Sequence, residues 1–313
     1  MALRFLAIQA VAAFGLTIVA WAIDSLPFRR GMRGVLLAGI LCSPSIIPGA
    51  DRQLRLAASI LSVTMGVHVW DLEAGRRKRL ANGGPAGFRK SFVGNLWHPF
   101  ALVLARARCE PPRPALAEVI QILVGVAGGV VSVLLLIAEV RFDWRGHSMV
   151  VEHIAKAVSF FLGIQFLPNA IAAAARLGGF AATDFAGAYF LAATPAEFWR
   201  RYNRPVDQFM IEYVFRPSGG MRHPIRSVLL VFLISGVIHE YVFDVAAGRV
   251  LGTQMAFFMI QGLAVAATVR VRLRGWGRAG GVVMTFAFNL ASVWLFLQSL
   301  DAVLPVYSRG NGE

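Results

Sequence analysis

Three ionisable side chains, His239, Glu240 and Asp244, interrupt the otherwise apolar run SVLLVFLISGVIHEYVFDVAA at residues 227–247. An ionisable group in hydrocarbon is costly unless it is paired or faces a cavity, so such a residue marks a satisfied packing contact or a working site. Histidine takes up and returns a proton near neutral pH. The chemistry open to the trio is therefore proton transfer, as a general base on a substrate or as a relay across a bilayer. His239 lies 13 residues beyond Arg226, which along a helix is about 20 Å at about 1.5 Å per residue. Ser235 falls one turn earlier on the same helix face, and Gly236 leaves room beside the imidazole.

Just upstream, residues 194–217 read TPAEFWRRYNRPVDQFMIEYVFRP. Thr194, Pro195 and Glu197 form a helix start, with an N-cap, proline at the first position and an acid in the first turn. Trp199, Tyr202, Phe209, Tyr213 and Phe215 alternate with Arg200, Arg201, Arg204 and Arg216, and Asn203 and Asp207 stand among them. One reading is an amphipathic interfacial helix with snorkelling arginines and an aromatic belt. The other is a cationic, aromatic platform that holds an anionic ligand at the membrane surface.

Other polar groups read as structural. Glu152 and Lys156 are spaced for an i,i+4 ion pair beside His153. His68 and His98 read as interface residues, and His147 and His223 as loop residues. None of the six histidines shows the spacing a metal site needs, so no metal is expected. Cys42 and Cys109 suggest neither a disulfide framework nor a cluster.

The elements that must position these residues are membrane helices. Of 313 residues, 57% are hydrophobic and 15% charged, and the apolar residues fall in blocks near the ~20 residues that cross a bilayer. Spans are expected at about 3–23, 34–48, 54–70, 115–138, 149–172, 227–247, 251–269 and 280–300. The shorter stretches 91–105 and 180–193 are expected to be interfacial or re-entrant helices covered by other protein. The first block is read as a retained span, because Arg29, Arg30 and Arg33 follow it and one arginine precedes it. The fold class is all-α: a single polytopic domain over 1–313, with about eight transmembrane helices. Gly125, Gly128 and Gly129 give the fourth span a small-residue face for a close neighbour. Pro44, Pro48 and Pro168 are expected to kink or end spans.

The net charge of +14 does not point to nucleic acid, since the basic residues sit between apolar blocks as topology signals and headgroup contacts do. Loops 24–33, 71–114, 173–226 and 270–278 hold 23 of the 31 lysines and arginines, against 7 on the opposite side. The basic loops are then cytoplasmic, and both termini face away from the cytoplasm.

FWRRYNRPVDQFMIEYVFRP followed by SGVIHEYVFD resembles the signature of the membrane-bound O-acyltransferase family, in its wax-synthase-like branch. That branch carries roughly F-W-G-R-R-W-N, and this chain has Phe198-Trp199-Arg200-Arg201-Tyr202-Asn203, with His239 36 residues after Asn203. The sterol and diacylglycerol acyltransferases carry an N-x-P-V-H element, which Asn203-Arg204-Pro205-Val206 matches up to Asp207, where they have histidine.

The resemblance implies acyl transfer from acyl-CoA to the hydroxyl of a lipophilic alcohol. His239 would act as the general base, with Asn203 orienting or polarising the acyl carbonyl or the acceptor. Trp199, Arg200, Arg201, Arg204, Asp207, Ser235 and Glu240 are the expected substrate-binding residues, the arginines serving the anionic CoA head. No cofactor is implied beyond acyl-CoA as co-substrate, and membrane lipids are the expected surroundings. Two other readings stand beside this one. The first is a short-chain transferase acting on a sugar or secondary metabolite. The second is a proton-coupled transporter using His239, Glu240 and Asp244, against which no repeat relates the two halves.

Overall fold

The computed structural model describes residues 2–76, 114–144, 147–179 and 182–307. The stretch 91–105, the loop 81–87, His98 and Cys109 lie outside the described residues. No strand occurs among the described residues, and the chain divides into two compact units. The first comprises residues 1–108 and 237–252, the second residues 109–236 and 253–313.

In the first unit α1 (Ala2–Ala22), α2 (Arg29–Cys42) and α3 (Arg52–Ala74) pack together. α2 gives way to a single 3-10 turn, Ser43–Ile46, that carries Pro44, which has no amide hydrogen to continue the helical ladder. Ala13 and Ala20 of α1 meet Ile40, Met65, Val69 and Leu72 in the core, and their small side chains let helices approach closely. Gln9 is fully buried and donates to Ser43 Oγ at 3.0 Å and Ser62 Oγ at 2.9 Å. Arg33, 3% exposed, donates to Ala20 O at 3.0 Å and pairs with Asp24 and Glu73 at 2.7 Å each. Arg33 is the buried member, while Asp24 and Glu73 keep 33% and 26% of their side-chain surface exposed, so water partly compensates the loss of either acid.

The second unit opens with a tight hairpin of α4 (Ala115–Arg141) and α5 (Met149–Leu177). The small-residue face expected in α4 is used there. A Cβ on Gly125 would stand 2.6 Å from Ala170 Cβ, and one on Gly128 2.3 Å from the Phe166 ring, so α5 presses on bare backbone. Glu152 and Lys156 form the expected ion pair, both nearly fully buried, with Lys156 over the rings of Trp144 and Tyr307. Pro168 falls inside α5, not at its end.

The rest of this unit is α6 (Pro195–Arg201), α7 (Arg204–Met210), a π turn at Ile211–Phe215, α8 (Pro224–Ala247), α9 (Thr253–Thr268) and α10 (Gly275–Asp301). α8 is one unbroken helix whose last turns, from Val237, belong to the first unit.

Among the described residues five helical stretches are long and apolar enough to span a bilayer: Leu3–Ser25, Ala115–Arg141, Met149–Leu177, Pro224–Ala247 and Gly275–Asp301. The chain is a polytopic helical membrane protein. The three remaining expected spans fall on α2, α3 and α9, of 14, 23 and 16 residues. The helix expected over 180–193 is corrected: described residues 182–193 are irregular, with bends at Phe185, Ala188 and Ala193, apart from one 3-10 turn, Tyr189–Leu191. The stretch is apolar enough for a helix, but its backbone polar groups are taken by partners distant in sequence.

Candidate functional site

Asn169 on α5 supplies the first of those partners. Its Nδ2 donates to Ala186 O at 2.8 Å, and its Oδ1 accepts from Ala186 N at 3.0 Å. One side-chain amide thus imitates a strand pairing and holds the irregular segment in place. On either side of Ala186 the segment grips a second piece of chain. Gly187 N donates to Arg201 O at 2.8 Å, and Arg204 N donates to Phe185 O at 2.8 Å. Residues 201–204 are therefore fixed from outside the helices they join. A Cβ on Gly187 would lie 2.9 Å from Arg204 Nη2, so a side chain there would push the guanidinium aside.

At the centre of that turn is Asn203, with φ 44° and ψ 56°. It is the one non-glycine with positive φ among the described residues. Asparagine tolerates this left-handed conformation better than most side chains, and strain of this kind gathers at functional sites. Asn203 is also the N-cap of α7, its Oδ1 accepting from Val206 N at 3.4 Å. That cap leaves Nδ2 as a donor.

α6 starts as its sequence requires. Thr194 Oγ1 accepts from Glu197 N at 3.1 Å, and Glu197 returns to accept from Ala193 N at 2.7 Å, a capping box shifted by one residue. Glu197 also pairs with Arg201 and with Arg278 at 3.2 Å. Burial works against its charge, but the Ala193 amide and these guanidiniums outweigh it and hold the carboxyl below the usual range.

The aromatic residues form a wall. Phe198 stacks on Tyr202 at 5.5 Å, and Trp199 meets Tyr202 and Phe232 edge-on at 5.5 and 5.2 Å. Trp199 Nε1 donates to Gln261 Oε1 at 2.9 Å. Gln261, 1% exposed, passes the network on to Asn289 Oδ1 at 3.1 Å and Ser292 Oγ at 2.8 Å.

The three arginines expected to serve one purpose diverge. Arg200 is exposed on α6. Arg201 is tied to Glu197 and donates to Ala188 O at 2.8 Å, and Arg204 lies over Gly187. Asp207, on the first turn of α7, feels Arg200 and Arg204, yet burial prevails and pushes its carboxyl up to about 7.

Ser235 and His239 are four residues apart on α8. The room expected at Gly236 is occupied: a Cβ there would lie 2.9 Å from Met255 Sδ and 3.3 Å from Phe258 Cβ of α9. In the first unit Glu240 accepts from the Gly252 amide, and Asp244 accepts from Leu251 N at 2.9 Å. Both acids thereby hold the chain that leaves α8.

Residues 147–298 match the family model described as MBOAT, membrane-bound O-acyltransferase family. Over this stretch the chain is similar to that family. The stretch matching the membrane-bound O-acyltransferases takes in the Asn203 turn, all of α8 and most of α10. Two curated relatives agree. The chain is 33% identical over 106 residues to a probable sterol O-acyltransferase 1 of Schizosaccharomyces pombe, covering 33% of this chain and 19% of that protein. It is 31% identical over 105 residues to a sterol O-acyltransferase 2 of Candida albicans, covering 33% of this chain and 17% of that protein. The matched stretch thus spans less than a fifth of either relative.

Sequence reasoning missed Asn169 and Gln261, the residues that position the turn and the wall. Both are amides within apolar helices, so the signal that singled out His239 applied to them too: a buried polar group needs a partner.

Proposed function

We propose that this protein is a membrane-embedded O-acyltransferase that moves an acyl group from acyl-CoA to the hydroxyl of a lipophilic alcohol. The observation that carries this reading is the family match over 147–298, because it includes both the Asn203 turn and the intramembrane His239. His239 takes the proton of the acceptor hydroxyl as the oxygen attacks the thioester carbonyl. The new C–O bond forms, the C–S bond breaks, and the imidazolium returns its proton to the departing CoA sulfur. Asn203 Nδ2 donates to the oxygen that gains charge at the carbonyl. Excluding water protects the thioester from hydrolysis. Arg200, exposed on α6, meets the anionic CoA head, while Trp199, Arg201, Arg204 and Asp207 shape the wall and the turn.

The acceptor we infer is a long-chain alcohol, as in wax-ester formation. A sterol acceptor is the second reading, favoured by the names of the two relatives. The basic loops lie on the cytoplasmic side and both termini on the other, so a C-terminal reporter active only in the cytoplasm stays silent. The deciding experiment supplies purified protein with acyl-CoA of varied chain length and with long-chain alcohols, sterols and short polar acceptors. Free thiol and ester should appear together with a lipophilic acceptor. Thiol release that no alcohol stimulates would overturn the reading.

A further inference from the structure

We propose that a groove on the second unit, between the start of α8 and the end of α9, holds an anionic phospholipid. The groove encloses about 1120 Å³ and has two chemically distinct ends. Arg222, Arg226 and Arg270 line one end, where α8 begins and just beyond the last residue of α9. Leu229 and Leu233 of α8, with Met259 of α9, line the other. Leu229 and Leu233 are one helical turn apart and face the same side. From Arg226 to Leu233 is about 10 Å along the helix axis. Among the described residues no acidic side chain lines the groove.

The shape is that of an amphiphile: a cationic cluster for a phosphate, then an apolar trough for an acyl chain. α8 is one of the membrane-spanning helices, so the arginines stand at its interfacial end and the leucines in the hydrocarbon. Ile225 and Leu233 are 58% and 42% exposed, so the groove opens outward. An occupant there lies against exposed side chains of a spanning helix, and in a bilayer lipids are in great excess over any acyl-CoA. Guanidinium pairs bidentately with phosphate oxygens. These arginines also belong to the segments 173–226 and 270–278, which the basic-residue distribution assigns to the cytoplasmic leaflet, where anionic lipids concentrate.

The proposal does not depend on acyl transfer, and its test reads lipid binding alone. The full-length protein, purified in detergent and stripped of lipid, is titrated with dioleoylphosphatidylglycerol or dioleoylphosphatidylcholine and read by native mass spectrometry. One phosphatidylglycerol should bind in preference to phosphatidylcholine. Arg226→Ala and Arg270→Ala should each reduce that preference about fivefold, the equivalent of about 1 kcal/mol per basic residue. Leu233→Trp, which fills the trough from an exposed position, should reduce binding of both lipids with the melting temperature unchanged. Equal binding of the two lipids, or a preference that survives both arginine changes, overturns the proposal. So does stoichiometric displacement of the phosphatidylglycerol by acyl-CoA, which would assign the groove to that molecule.

Discussion

The indole of Trp199 donates its only polar hydrogen to Gln261 Oε1 at 2.9 Å, joining α6 to α9 inside the second unit. Gln261 is 1% exposed, so water cannot replace a lost donor. Trp199→Phe keeps an aromatic ring against Phe232 but strands the carbonyl oxygen. That loss costs about 1–3 kcal/mol and lowers the melting temperature. An unchanged melting temperature would show the hydrogen bond to be idle.

Asn203 offers a separation of backbone from side chain. Asn203→Ala removes the cap of α7 and leaves alanine at φ 44°, costing about 1–3 kcal/mol. Asn203→Gly relieves the backbone, and Asn203→Asp keeps the capping oxygen while deleting the Nδ2 donor. Glycine and aspartate variants should therefore melt near the parent temperature yet turn over slowly. Full activity in both would reduce Asn203 to a turn residue.

The long apolar helices were legible because lipid imposes length and hydropathy on any segment that faces it, and Leu3–Ser25, Ala115–Arg141 and Gly275–Asp301 obey that rule. Residues 182–193 were not, because nothing local shows that Asn169 will pair with Ala186 or that Phe185 will receive the Arg204 amide. The surroundings of the arginines are equally non-local. Their types announce a cationic face, but Glu197 and Gly187 decide which of them remain on it.

Asp207 predicts a pH dependence. Its carboxyl titrates at about 7 in the folded protein, against 3.8 ordinarily, because burial disfavours the charged form. Between those values the folded state holds a proton that the unfolded chain has lost, so this group's contribution makes stability fall as pH rises from about 4 to about 7. The cost is absent below that window and fully present above it. Asp207→Asn removes the carboxyl and should flatten the melting temperature across the window. A slope identical to the parent's would show that Asp207 ionises normally.

Arg200 and Arg201 are neighbours with different expected phenotypes. Arg200→Ala removes an exposed charge and should raise KM for acyl-CoA, most at low salt where screening is weakest, with kcat and melting temperature unchanged. Arg201→Ala breaks the pair with Glu197 and the bond to Ala188 O, so its main effect should be a lower melting temperature. Interchanged phenotypes would place the CoA head at Arg201.

His239 decides whether the intramembrane polar group does chemistry. It stands on α8, one helical turn from Ser235 and on a helix that inserts by its apolar length. Replacing one side chain does not remove a span. His239→Ala should leave expression, insertion and melting temperature near those of the parent and cut acyl transfer by about 100- to 10,000-fold, the usual range for losing a general base. His239→Gln, which keeps polarity and approximate volume without a group that titrates near neutral pH, should be as inactive as alanine. A packing histidine gives the opposite pattern, with stability lost in alanine, recovered in glutamine, and activity per folded molecule preserved in both. Specific activity and melting temperature measured on the same purified samples separate the two outcomes, and sustained turnover in His239→Gln would remove the general base from the mechanism.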